Sequence, residues 1–469
     1  MQADLLLRDL WRLAQADPSA LDNIRFTATD HSLPSSFHVG PVAAATIAAQ
    51  ALAAAQLWQM RSGQSQAIEV NQRRVLAMFR SERYLTLDGK PQKDPFSPLF
   101  GFYATRDGRW IQLHTNFPQH HHGVLRVLGC EDRREAVADA VLQCNAAELE
   151  QRLADAGLCA AWVRSFEEWQ AHPQAQAIAA LPLFEIERIG DAPPEPLGHS
   201  AGRMQPALRP LAGVRVLDLS RVIAAPVAAR TLAQHGADVL AISAAHLPNI
   251  ESLVIDTGRG KRSAQLDLRD ASGQATLREL IRGADVFLQA YRPGALAARG
   301  FDAQALCALR PGLIQVSLSA YGHAGPWAAR RGFDSLVQSA TGIAFDEGRA
   351  AGLATPGRLP CQVNDHASGY LAAFGAMIAL HRRAREGGSW RVRVSLAQTG
   401  HWLRSLGRVA DGTPAPDLTT DEVASWRQTM DSPFGRISAI APVEQMALTP
   451  PRLDLPPVPP GTHEAQWWS

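Results

Sequence analysis

Apolar residues recur at two different spacings along the chain, and the change from one to the other divides it. The opening ADLLLRDLWRL places its leucines and tryptophan three and four apart between acids and bases. That pattern predicts an amphipathic helix, not a secretion signal, whose apolar core would carry no charge. From Gly40 to Leu57 (GPVAAATIAAQALAAAQL) no charge appears over 18 residues. Such a run is close to the minimum that spans a bilayer. It is mostly alanine, however, and Gln50 and Gln56 interrupt it, so a close-packed core helix continuing to about Met60 is expected. A Gly-Gln turn and a short strand, AIEV (67–70), follow. After the Pro-containing stretch KPQKDPFSP, alternation in FYATRDGRWIQLHT predicts a strand pair turning at Asp107-Gly108, and helical segments then run to about Ala180. This region reads as a small α+β domain. DAPPEPLGHSAGRMQPALRP reads as a linker.

From Leu211 the spacing changes. LAGVRVLDL, ADVLAIS, RSAQLDL, ADVFLQA and LIQVSLS are short apolar runs alternating with helical stretches, at the spacing of parallel βαβ units. The expected fold class is therefore α/β, a Rossmann-like parallel-sheet domain joined to a smaller α+β domain. The expected segments are 1–209, 210–405 and a tail, 406–469. SRVIAAP stands after the first strand in place of a G-x-G-x-x-G, which argues against a dinucleotide. A faint repeat lays Ser36–Met60 plus AIEVNQRR beside Asp365–Arg383 plus WRVRVSLAQ, both helix, Gly turn and strand. Ser36 then falls opposite Asp365, so only the second copy carries a carboxylate at that place.

Charge and cysteine content narrow the function classes. Lys plus Arg (46) nearly equals Asp plus Glu (45), so no global field draws nucleic acid or an anionic membrane, and an anionic ligand must be met by local charges. Five cysteines, odd in number and free of C-x-x-C pairs, argue against a disulfide framework or a zinc site and fit a reducing, cytoplasmic location. Adjacent His120, His121 and His122 cannot all face one ion, so a surface or helix-start run is expected and no metal. Trp467 and Trp468 are expected to pack or to be disordered.

The second half carries six motifs in order: LAGVRVLDLSRVIAAP, GADVL, GRGKRSAQLDLR, AYRPGALAARGF, SLSAYGHAGPWAARRGFD and NDHASGYLAAFGAMIAL. Together they resemble the amino-terminal part of the family III CoA-transferases, a family that includes α-methylacyl-CoA racemases. In the first half, YATRDGRWIQL and GLCAAWVRSFEEWQAHPQ are similar to the family's small domain, and the tail from PFGRISAIAPVEQMALTPP resembles its closing segment. The resemblance implies a fused or rearranged order, with a carboxy-terminal family part ahead of an amino-terminal one.

What the resemblance implies for chemistry starts with Asp365 as the nucleophile, at the start of the apolar helix HASGYLAAFGAMIAL, where the helix amino terminus is expected to favour the anion. It implies that Val222, Ile223, Ala224, Ala225 and Pro226 offer backbone to CoA, with Arg259, Lys261 and Arg262, then Arg292 and Arg299, as phosphate-binding clusters. Tyr291 is placed to stack on the adenine. Ala241, Ser243 and Ala290 depart from the family pattern. Within Gly332-Phe333-Asp334 the racemases carry a histidine before the aspartate, since moving an α-proton needs a second acid/base group; Phe333 favours transfer over racemisation. The implied activity is CoA transfer between an acyl-CoA and a small carboxylic acid, with CoA as substrate, no other cofactor, and a homodimer as the family's assembly. The alternatives are an acyl-CoA racemase or isomerase of the same fold, and a catalytically silent CoA-binding protein.

Overall fold

The computed structural model describes residues 2–28, 33–92, 96–197 and 209–468. Most of the expected linker (198–208) and part of KPQKDPFSP (93–95) lie outside the described residues.

The second half supplies six strands of one seven-stranded sheet. In spatial order its strands are Lys261–Gln265, Asp238–Ser243, Arg215–Leu219, Val286–Gln289, Ile314–Ser319, Ser389–Ser395 and Phe184–Gly190. The first six run parallel and the last is antiparallel. Parallel strands covered on both faces need near-continuous apolar runs, which is why these segments are recognisable. The strand Arg215–Leu219 has its successor on one side and Val286–Gln289 on the other. Chain order reverses there, and in open α/β sheets the crevice beyond the carboxyl ends at such a reversal is where ligands bind.

The edge strand Phe184–Gly190 comes from the segment expected to end in helices and a linker. Its register sets Glu185 opposite Arg393 and Glu187 opposite Arg391. Arg391 Nη2 lies 2.6 Å from Glu187 Oε2, and Arg393 also pairs with Glu185. The cross-strand charges that fix this strand belong to residues some 200 positions apart, so local spacing does not reveal it.

The alanine-rich segment is the helix Val39–Ser62, 89% buried over its most apolar window. It packs against the helix Val363–Glu386, which carries Asp365 and also packs on Ala224–Gln234. Small side chains permit this closeness: a Cβ added to Gly369 would stand 2.4 Å from the Ala224 carbonyl oxygen. The amino-terminal helix, Ala3–Leu13, buries Leu6, Leu7, Leu10 and Trp11, and Trp11 stacks on Phe374 at 5.5 Å between ring centroids.

The hairpin Gly101–Ala104 and Trp110–Leu113 forms about Asp107-Gly108, with Gly108 at φ 71°. A third strand, Ala160–Trp162, adds to it where the sequence pattern suggested helix. The tail folds onto the first half: Arg427–Ser432 pairs with Gly435–Ile440, which pairs with Thr86–Leu87, and Glu444–Met446 pairs with Ile68–Asn71. Trp467 donates its indole N–H to the Leu280 carbonyl at 2.9 Å, so the terminal tryptophan packs.

Candidate active site

A chamber of about 720 Å³ opens beyond the carboxyl ends of the parallel strands. Its walls bring together Val222, Ile223, Ala224, Ala225, Tyr291, Arg292, Arg299 and Asp365. The first half contributes Phe117, Gln119, His120 and Cys159 to the lining. Residues from both sequence halves therefore complete one cavity.

Asp365 is the third residue of its helix and is 8% exposed. Its backbone N–H donates to Asp334 Oδ2 at 2.8 Å. Asp334 opens the helix Asp334–Ala340 and is buried, and Gln338 Nε2 donates to its other oxygen. Gln338 is held in turn by accepting the Leu359 N–H at 3.0 Å. Glu82, from the first half, stands beside His366 Nε2 at 3.2 Å and adds a third carboxylate to the group. Burial, then the neighbouring Asp334 and Glu82 charges, push the Asp365 carboxyl well above its ordinary range. Burial likewise raises Asp334 to about 6.

The expectation that the helix amino terminus favours the Asp365 anion is thus corrected. A helix terminus contributes about 0.3–2 kcal/mol, less than the cost of burying a charge beside two others. The N–H groups of Asn364 and Asp365 also go to Asp334, not to the Asp365 carboxylate. Asp334 supports the Asp365 backbone and at the same time disfavours a second charge.

The loop before the helix Ala224–Gln234 is strained where it meets the chamber. Val222, a β-branched residue, has φ 76°, a conformation that costs roughly 1–3 kcal/mol. The first helical bond runs from Val227 N–H to the Ile223 carbonyl at 2.8 Å. The N–H groups of Ala224 and Ala225 have no partner within the helix as a result. Gly369, one turn after Asp365, lies against the Ala224 carbonyl and brings this loop beside the carboxyl.

The basic cluster of 259–262 does not join the chamber wall. Arg259 is 1% exposed, with Nη2 2.7 Å from Asp256 Oδ1 and Nη1 donating to the Ile440 carbonyl. Lys261 Nζ sits 2.8 Å from Asp218 Oδ2 and 2.9 Å from the Pro226 carbonyl. Arg262 pairs with Asp238 at 2.8 Å under the Trp468 ring. All three residues of the expected phosphate-binding cluster are buried and paired with carboxylates, and Lys261 and Arg262 line a smaller cavity beside the chamber. Lys261 anchors the end of the 222–226 loop. Arg292 and Arg299 remain exposed on the chamber, with Arg299 Nη1 donating to the Leu268 carbonyl at 3.0 Å. Ser243 and Ala290 line it too, and the Ser243 hydroxyl is buried without a partner.

The histidine run begins the helix Pro118–Leu128 as expected, but His120 is no surface residue. It is 3% exposed, faces Cys159 Sγ at 3.8 Å, and burial lowers it to about 4. His121 pairs with Asp132 at 2.8 Å. Phe333 stacks on His114 at 3.8 Å with the rings 7° from parallel. Sequence reasoning missed Glu82, His120, Cys159, Arg221 and Arg331. The Arg330-Arg331 pair flanking Gly332-Phe333-Asp334 was a readable signal for the last; Glu82 carried none. The Ser36 side chain, opposite Asp365 in the repeat, lies ahead of its helix and bonds to Glu347 and Arg408, so that place is filled.

The comparisons with known proteins agree with this geometry. Residues 26–192 and 211–415 match the model of CoA-transferase family III. An acetyl-coenzyme A transferase of Hypoxylon pulicicidum is 31% identical over 67% of this chain and 56% of its own length. An acyl-CoA transferase of Gibberella moniliformis is 31% identical over 63% and 54%. A succinyl-CoA–D-citramalate CoA-transferase of Chloroflexus aurantiacus is 28% identical over 52% and 67%. The chain spans about half the length of the first two relatives. With motifs in both halves converging on one chamber and the family model matching both, this chain belongs to CoA-transferase family III.

Proposed function

We propose that the chain moves CoA between an acyl-CoA thioester and a carboxylic acid, with Asp365 as nucleophile. The observation that carries the reading is the Asp365 carboxyl at the wall of a chamber shared with Val222–Ala225, Tyr291, Arg292 and Arg299.

An Asp365 oxygen attacks the thioester carbonyl carbon, the C–S bond breaks, and a mixed anhydride forms as CoA thiolate leaves. The thiolate then attacks the aspartyl carbonyl carbon and expels the donor carboxylate, leaving an aspartyl thioester. An acceptor carboxylate attacks that thioester, the thiolate leaves again, and its attack on the new acyl carbon frees Asp365. Each step is a displacement at an acyl carbon, so no electrons are transferred overall and no redox cofactor is required. The N–H groups of Ala224 and Ala225, which have no partner within the helix, suit the oxyanion that develops in each step. Exclusion of water by the first-half lining protects the anhydride. Arg292 and Arg299 meet CoA phosphates in this reading, and Tyr291 its adenine. All five cysteines are free thiols, which supports a reducing cytoplasmic setting.

Peptide mass spectrometry after incubation with a panel of acyl-CoAs and hydroxylamine tests the reading. A hydroxamate on Asp365, absent from Asp365→Ala, is expected. CoA binding with no adduct from any donor would refute covalent transfer and favour an isomerase or a silent CoA-binding protein.

A further inference from the structure

The faint repeat of the sequence has a structural counterpart, and the first copy stops short of completion. In the second half, Ile314–Ser319 leads by way of the 24-residue helix Val363–Glu386 to the parallel strand Ser389–Ser395. The far side of that strand is taken by the antiparallel Phe184–Gly190. In the first half, Ile24–Thr27 leads by way of the 24-residue helix Val39–Ser62 to the parallel strand Ile68–Asn71. Its far side is taken by the antiparallel Glu444–Met446. The register agrees as well. Asn71 and Ser395 each end a strand and cap the next helix, accepting from the N–H groups of Arg74 and Gln398, and the residues paired with them are Thr27 and Ser319. Ile24 and Phe26 therefore correspond to Val316 and Leu318.

The two units differ on the near side. Ile314–Ser319 pairs along its other edge with the parallel strand Val286–Gln289. Ile24–Thr27 ends its three-stranded sheet, and no strand lies on its other edge among the described residues. A groove of about 470 Å³ is found there, lined from the strand by Ile24, Arg25 and Phe26 and from the amino-terminal helix by Asp4, Leu7 and Arg8. Val316 and Leu318 are 1% and 6% exposed beneath their neighbours, whereas Ile24 and Phe26 are half-buried. Apolar residues thus stand where a fully flanked strand would have them, without the flank. Arg25 turns to Glu69 of the adjoining strand, but Arg8 is exposed and has no carboxylate partner among the described residues. In the completed unit an acid, Asp285, precedes the added strand and meets cations, 2.8 Å from Arg383 and 3.8 Å from Arg310.

We propose that the free edge of Ile24–Thr27 is a docking site for a partner polypeptide, which adds a short apolar strand in the parallel sense and carries an acidic residue for Arg8. The completed unit supplies the pattern of the occupant: Val286–Gln289, with Asp285 before it, holds the corresponding place in the second half. Unpaired N–H and C=O groups on a sheet edge are a template for such addition. Main-chain bonds then supply the affinity, and the side chains of the added strand, packed against Leu7, Ile24 and Phe26, supply the selectivity. The site concerns assembly and is independent of the chemistry at Asp365.

The test adds a synthetic peptide with the sequence of residues 284–290, ADVFLQA, to the full chain and follows backbone amide exchange by mass spectrometry. Exchange within 24–27 is expected to slow about tenfold at saturating peptide. The same peptide carrying Phe287→Pro lacks an N–H in mid-strand and should give no slowing. In an Arg8→Glu chain the peptide concentration needed should rise about threefold to about tenfold, the range of an exposed charge pair reversed in sign. Unchanged exchange at 24–27, or slowing confined to another part of the chain, overturns the site. Equal slowing by the Phe287→Pro peptide overturns strand addition. Undiminished binding to the Arg8→Glu chain overturns the acidic character assigned to the partner. Slowing at 24–27 that grows with protein concentration in the absence of peptide overturns the proposal too, because a second copy of this chain would then be the occupant.

Discussion

Replacing Asp334 by Asn separates the two effects of this carboxylate on Asp365. Burial raises Asp334 to about 6 in the folded protein, against about 3.9 in an unfolded chain. A carboxyl with a raised folded pKa binds more protons folded than unfolded between those values. The linkage slope is then negative: stability falls as pH rises through this window and levels above about pH 6. A displacement of roughly two units corresponds to about 3 kcal/mol of stability present at pH 4 and missing at pH 8. Asn carries no such loss, but it has one acceptor where Asp334 has two, receiving from Asp365 N–H and from Gln338. Gln338 cannot turn to compensate without breaking its bond from Leu359. A mismatched donor costs about 1–3 kcal/mol at every pH. The two effects predict a variant less stable than wild type at pH 4.5 and close to it at pH 8, so the slope discriminates and the absolute value does not. Urea titrations at half-unit intervals from pH 4.5 to 8 measure it. The same variant removes a negative neighbour from Asp365, so the acid limb of the transfer pH profile should move to lower pH. Parallel stability curves for the two proteins would refute the premise that Asp334 holds its proton into the neutral range.

Three further outcomes follow from the packing. Gly369→Ala places a Cβ against the Ala224 carbonyl oxygen and Val227; a loss of about 1–3 kcal/mol in chemical denaturation, with a raised acyl-CoA KM from displacement of the loop, is expected. Val222→Gly relieves the positive φ and should gain about 1 kcal/mol, the strain released exceeding the added unfolded-state entropy, as read from thermal melts. Arg259→Ala leaves Asp256 with Arg230 at 2.8 Å and Ser81 at 2.6 Å on Oδ2 but takes away the guanidinium paired with Oδ1; a cost of about 3–5 kcal/mol in unfolding, with no specific change in CoA affinity, is expected.

The order of the motifs and the apolar periodicity carried most of the fold. Parallel strands buried on both faces must be written as apolar runs, and Arg215–Leu219, Asp238–Ser243, Val286–Gln289 and Ile314–Ser319 are legible for that reason. Asp365 and the 222–225 loop could be named because the motifs holding them are local in sequence. The misread elements depend on distant partners. Phe184–Gly190 is a strand because Arg391 and Arg393 stand beside it, and Ala160–Trp162 because a hairpin edge is open to it.

Sequence alone determined the fold class, the helix that carries Asp365, and the loop that approaches it, since periodicity and turn chemistry act over a few residues. Tertiary structure decided the charge state of the site. Arg259, Lys261 and Arg262 look like phosphate ligands as a string, yet Arg259 is spent on Asp256 three residues before it, and Lys261 and Arg262 on Asp218 and Asp238 from neighbouring strands. Asp365 looks like a helix-stabilised anion, yet Asp334 and Glu82 come from other elements to oppose its ionisation. Coulomb energies and burial depend on distance in space, which spacing along the chain does not encode.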